Sequence, residues 1–178
     1  MSKVKKGNPW PSLLLLLLFV FGINLFSGSG GRSYNVVPNY DLMVRDVSDG
    51  DSRIRFPEMD VFPEGEYYYH VSYAGKWPGR PAEGYLISPK AADGRVGEGY
   101  RVQCHPADEY DLEPNMVFLD IPMYLSETAP DKINDGFWVK QFIFELDDYT
   151  YWERFESRNG VVENVQPTLE QLTASILA

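Results

Sequence analysis

The sequence predicts a mainly β fold: one N-terminal apolar helix, then an antiparallel β-sandwich or open barrel ending in a short C-terminal helix. Three observations carry this. Short stretches alternate apolar and polar side chains or run apolar throughout, as strands do. Breaks rich in Gly, Pro and Asp separate them, and an Asn-Gly pair at 159–160 adds a hairpin signal. Residues 10–26, WPSLLLLLLFVFGINLF, hold no charge.

That apolar stretch sets the domain plan. As a helix its seventeen residues would rise about 26 Å, slightly short of a hydrocarbon core of about 30 Å. Residues 10–28 are therefore expected to be a transmembrane anchor. Trp10, Leu13, Leu16, Phe19, Phe21 and Phe26 supply its lipid-facing groups. Pro11 suits a first helical position, and Trp10 suits the headgroup level. Lys3, Lys5 and Lys6 lie ahead of it without a matching acid. Residues 1–9 are accordingly expected in the cytoplasm and the remainder outside, periplasmic or extracellular. The alternative is a cleaved secretory signal: a basic start, an apolar run from Leu13 to Phe21, and small residues at Ser27-Gly28-Ser29. Residues 29–39 begin SGGRS and are read as a flexible linker, leaving 40–178 as the β domain.

Charge is divided as unevenly as hydropathy. All 26 acids follow residue 40, whereas four bases (Lys3, Lys5, Lys6, Arg32) precede residue 34. The remainder has 12 bases against 26 acids, a net of −14. A nucleic-acid or anionic-lipid surface is a poor partner for such a domain; a cationic one is favoured. The only cysteine is Cys104, so no internal disulfide can form and the core must supply the stability. Cys104 shares a strand phase with Tyr100 and Val102, which predicts burial.

In chain order, Tyr40–Phe56 reads as a hairpin, with Leu42 and Val44 on one strand, Ile54 and Phe56 on the other, and Ser48-Asp49-Gly50-Asp51 as the turn. Glu66–Ala74 alternates, placing His70 on the wetter face. Residues 75–81, GKWPGRP, break it. Gly84–Pro89 and Gly97–Cys104 are further strands. Asn115–Leu125 reads as one buried strand interrupted at Pro122. Gly136–Leu146 is apolar on both faces, as a central strand would be. Asp147-Asp148 turns the chain into Tyr149–Glu156, and the Asn-Gly turn leads on to Val161–Val165, a three-stranded meander. A helix then starts with Thr168 and Gln171 as a capping box, with Leu169, Leu172 and Ile176 on one face. About ten residues do not make a stable helix alone, so that face must dock on its own sheet or on a neighbouring subunit.

No motif for catalysis stands out. Asp46, Asp49 and Asp51 gather oxygens near a glycine, as a calcium loop does, but the alternating spacing and the later bidentate acid are missing. Cys104 and His105 point to opposite faces of one strand, and only two histidines exist. No G-x-S-x-G elbow is present. Gly75-Lys76-Trp77 and Asp148-Tyr149 resemble two short lipocalin signatures. Pro78 follows the first, and too few strands fit between them for that fold.

The expectation is a non-catalytic accessory or scaffolding subunit of a membrane complex, with respiratory and photosynthetic electron-transfer assemblies as natural hosts. It would meet lipid through residues 10–28 and integral-membrane subunits through the same helix. A cationic partner would meet the acidic domain. Trp77, Leu169, Leu172 and Ile176 are its candidate partner contacts, and no cofactor is expected. The alternatives are a secreted β-domain binding protein for a small ligand or carbohydrate, and an enzyme of a type its motifs do not reveal.

Overall fold

A computed structural model describes residues 33–73, 80–107, 112–128, 136–160 and 165–178. The anchor expected at 10–28, Trp77 and residues 161–164 lie outside them. Among the described residues no helix is long and apolar enough to cross a membrane.

The described chain is mainly β, an eight-stranded antiparallel sheet with a short C-terminal helix. Its strands are β1 (Ser33–Val37), β2 (Tyr67–Tyr73), β3 (Ala82–Pro89), β4 (Gly99–Pro106), β5 (Met116–Phe118), β6 (Ile121–Thr128), β7 (Trp138–Leu146) and β8 (Tyr149–Ser157). Their order is β1-β2-β3-β4-β8-β7-β6-β5. Two four-stranded meanders thus run toward each other and join where β4 meets β8. Among the described residues the eight strands form one sheet, and helices rather than a second sheet cover it.

The first correction concerns Tyr40–Phe56. Helix α1 spans Tyr40–Gly50. Asn39 caps it, its side chain accepting a hydrogen bond from the Leu42 amide at 2.9 Å. Met43 and Val47, one helical turn apart, are fully buried. On that helix Val44 packs against the core beside Tyr40, whereas Leu42, two residues away, does not, and the Asp-Gly signal ends a helix instead of turning a hairpin. After Asp51 the chain crosses the sheet in extended form. Two buried tyrosines fasten it there: Tyr85 Oη donates to the Arg55 carbonyl at 3.0 Å, and the Arg55 amide donates to Tyr151 Oη at 2.8 Å. Ile54 is buried and Phe56 stacks on Tyr85 with ring centres 5.0 Å apart.

Gly50 sits where α1 meets β3, and a β carbon there would run into the Ala82 backbone. Gly50→Ala is therefore expected to lower stability by about 1–3 kcal/mol through forced displacement of the helix. Urea unfolding with an unchanged slope and an unchanged midpoint would show that the contact yields freely.

Residues 33–37, expected as linker, are β1, and pair with β2 from Ser33↔Tyr73 to Val37↔Tyr69. Asn115–Leu125 is two strands, not one. Leu119 and Asp120, both at positive φ (48° and 65°), make a two-residue turn between β5 and β6. Asp147 and Asp148 turn β7 into β8 in the same way, at φ 53° and 69°. Of the third meander strand expected at 161–165, residues 161–164 lie outside the described residues. The free side of β8 is taken by β4, in register from Gly99↔Glu156 to Pro106↔Tyr149, and Val165 already begins a helix.

That helix, α2, spans Val165–Leu177, four residues longer at its start than a Thr168 N-cap implied. Pro167 falls in its first turn, where a missing N–H breaks no helical bond. Leu169, Leu172 and Ile176 are at most 1% exposed, within the same core as the sheet. The helix thus docks within its own chain, and these three side chains are not free to meet a partner. The core lies between the helices and one sheet face, built on Val71, Tyr85, Ile87, Val102, Cys104, Phe142, Phe144 and Tyr151. Burial pushes the Cys104 thiol up to about 12, so it stays protonated and unreactive.

One acid lies inside this core. Glu153 is fully buried, with Oε2 2.9 Å from Thr173 Oγ1, while Thr173 Oγ1 is also 3.0 Å from the Leu169 carbonyl. Burial raises its pKa well above the usual 4.5. The threonine has one proton. It satisfies the Leu169 carbonyl if Glu153 is a neutral acid donating to the threonine oxygen.

Candidate recognition face

The opposite sheet face carries a different set of side chains. Strand parity puts Arg101, Gln103 and His105 of β4 outward, against Tyr100, Val102 and Cys104 inward. On β8 the outward set is Thr150, Trp152, Arg154 and Glu156. The β4–β8 register sets Gln103 opposite Trp152 and Arg101 opposite Arg154. The next strands extend these rows. Trp152 faces Ile143 and Arg154 faces Gln141 on β7, and those face Tyr124 and Ser126 on β6.

Two like charges placed directly opposite repel. Glu156 relieves this pair. Its Oε2 lies 2.7 Å from Arg101 Nη2, and its Oε1 lies 2.7 Å from Arg154 Nε. Arg101 Nη2 also donates to the Gly97 carbonyl at 3.2 Å. One buried carboxylate thus serves two guanidiniums that are each about a third exposed or less. The Nε–H groups of Arg101 and Arg154 are both buried without a hydrogen-bond acceptor among the described residues, so the Arg154–Glu156 contact is an ion pair only. Burial lowers the Arg101 pKa from its usual value. Glu156 opposes that and Arg154 adds to it.

Side-chain amides hold the neighbouring groups. Trp152 Nε1 donates to Gln141 Oε1 at 2.9 Å, and Gln141 Nε2 donates to Ser126 Oγ at 2.9 Å. Gln103 Nε2 donates to Tyr34 Oη at 3.1 Å, which brings the β1 edge to this face. Leu86, Arg101, Gln103, Trp152 and Arg154 enclose a hollow of about 140 Å³. A larger one of about 340 Å³ lies further along, with Pro122, Tyr124, Ile143, Glu145 and Thr150 among its walls. His70, on the same face, is half-buried, and burial lowers its pKa.

The residues singled out from the sequence fall elsewhere. Asp46 and Asp49 lie on α1. Asp46 pairs with Arg45 at 2.8 Å. Asp51 pairs with Arg53 at 2.7 Å and accepts from Tyr149 Oη at 2.7 Å, and these contacts hold its carboxyl well below the usual range. Among the described residues no three His, Cys, Asp or Glu side chains are placed to hold a metal ion.

No protein-family model, curated protein or solved structure matches this chain. The chemistry of the face must therefore be read from its own groups. Guanidiniums, amides and an indole bind and orient an acceptor. At neutral pH a guanidinium neither takes up nor releases a proton, so the cluster is equipped for recognition. Sequence reading missed it, although YRVQCHP alternates a polar register with an apolar one and YTYWERFE sets Thr150, Trp152, Arg154 and Glu156 against a mostly aromatic one.

Proposed function

We propose that this chain is a membrane-tethered, non-catalytic accessory subunit that recognises its partners outside the bilayer. One observation carries the reading: among the described residues the helices cover one face of the sheet, and the other carries Arg101, Arg154, Trp152 and Tyr34. Arg, Trp and Tyr are the residue types that concentrate binding energy at protein contacts. The apolar stretch at 10–28 supplies the tether and a surface for integral-membrane subunits. Residue 33 already belongs to β1, so the sheet edge follows the tether after residues 29–32. With a net charge of −14 beyond residue 33, the body of the domain favours a cationic partner.

Tagged full-length protein, extracted in mild detergent, is expected to co-migrate with other membrane subunits on a native gel and to resist alkaline washing of membranes. Migration as a lone chain would reject the subunit role, and release by alkali would reject the tether. The hollow beside Trp152 favours a second reading, a secreted protein that binds a small ligand. Release by alkali together with ligand binding would select it.

A further inference from the structure

We infer that the hollow between Arg101, Arg154 and Trp152 is a binding site for a small carboxylate. The inference rests on reading the outer sheet face as a recognition surface, and adds the chemistry of what it holds.

Charge comes first. Two guanidiniums stand opposite each other on β4 and β8, and one carboxylate, Glu156, spends one oxygen on each. The cluster keeps a surplus of one positive charge inside a domain whose net charge is −14. Hydrogen bonding comes second. The Arg101 Nε–H is buried and unaccepted among the described residues, and a buried donor left so is a standing penalty that an arriving acceptor removes. A second carboxylate answers both deficits, since planar guanidiniums match its two oxygens.

Size and lining narrow the class. About 140 Å³ is well under the roughly 300–1,000 Å³ of sites that take drug-sized ligands. Leu86 and the Trp152 indole form apolar walls, so the carboxylate should carry a compact or flat apolar stem. A dianion such as phosphate gains from the arginines, but it is repelled more strongly than a monoanion by the acidic body. A cation is turned away by the arginines themselves.

The test is calorimetric titration of the full chain in detergent with benzoate, acetate, benzamide and inorganic phosphate. Benzoate is expected to bind, acetate more weakly, and benzamide, of the same shape without the charge, not measurably. Arg154→Gln should weaken benzoate at least about tenfold, and Arg154→Lys should restore part of that loss. Glu156→Gln removes the competing carboxylate and should tighten benzoate. Circular dichroism of each variant confirms the sheet. Equal binding of benzamide, preference for phosphate, no benzoate binding, or an Arg154→Gln protein that binds as before would each overturn the site. None of these results alters co-migration with membrane subunits, so the two readings fail separately.

Discussion

Replacing Glu153 with glutamine is expected to stabilise the protein at neutral pH and to flatten its dependence on pH. In the folded chain this carboxyl is buried beneath α2 and its pKa is raised well above 4.5. Once unfolded, it releases its proton near 4.5. Between those two values the folded state holds a proton that the unfolded state has lost. The contribution of Glu153 to stability is thus complete below about 4.5 and declines as pH rises toward the folded pKa, by up to about 1.4 kcal/mol per pH unit. Glutamine has the same shape, can donate to Thr173 Oγ1, and carries no such dependence. Near pH 4 the two proteins should be close in stability, with the amide at a disadvantage of about 1 kcal/mol for its additional N–H. By pH 8 the variant should lead. Tyr85, which faces the same interior, is also held far above its usual pKa and stays neutral throughout. Urea unfolding at several pH values measures the difference. Parallel curves for the two proteins would mean that Glu153 is already ionised in the folded state.

Replacing Glu156 with alanine should have a large effect of the opposite sign. This carboxylate is 6% exposed and is the ion-pair partner of both Arg101 and Arg154. Removing it leaves two guanidiniums face to face with nothing between them. Breaking a fully buried pair costs about 3–5 kcal/mol. The arginines keep some contact with solvent, so about 2–3 kcal/mol is expected here. The double variant Glu156→Ala, Arg101→Gln should recover much of the loss, because the repulsion disappears with one charge. Added salt should narrow the gap between wild type and Glu156→Ala. A loss under about 0.5 kcal/mol, typical of ordinary surface substitutions, would falsify the role of Glu156 as the group that holds the two strands' charges together.

Reading the chain in one dimension found β2, β3, β4, β7 and β8 within a few residues. Each is a run whose alternation, or in β7 whose apolar character on both faces, survives whatever packs beside it. The same reading mistook α1 for a hairpin. Leu42 and Val44, two residues apart, mimic a strand's alternation although a helix sets them on nearly opposite sides, and Asp49-Gly50 suits a hairpin turn or a helix end equally. Only the Asn39 cap and the burial of Met43 with Val47 decide between them. The Leu119-Asp120 turn was missed because its two residues adopt positive φ without a glycine to announce it. The arginine cluster was half visible. Each strand showed its polar register, but β4 and β8 lie about fifty residues apart, and local pattern carries no information on which strands pair.

The sequence by itself determined the strand content, the inward placement of Tyr100, Val102 and Cys104, the acidic excess beyond residue 40, and the uncharged stretch near the start. These follow from side-chain type and spacing, which are local. The tertiary structure alone decided that β4 lies against β8, that α2 spends its apolar face on its own sheet, and that Arg101, Arg154 and Glu156 share one corner of the outer face. Those outcomes depend on burying the most apolar surface with every strand paired, a condition that only the whole chain can satisfy.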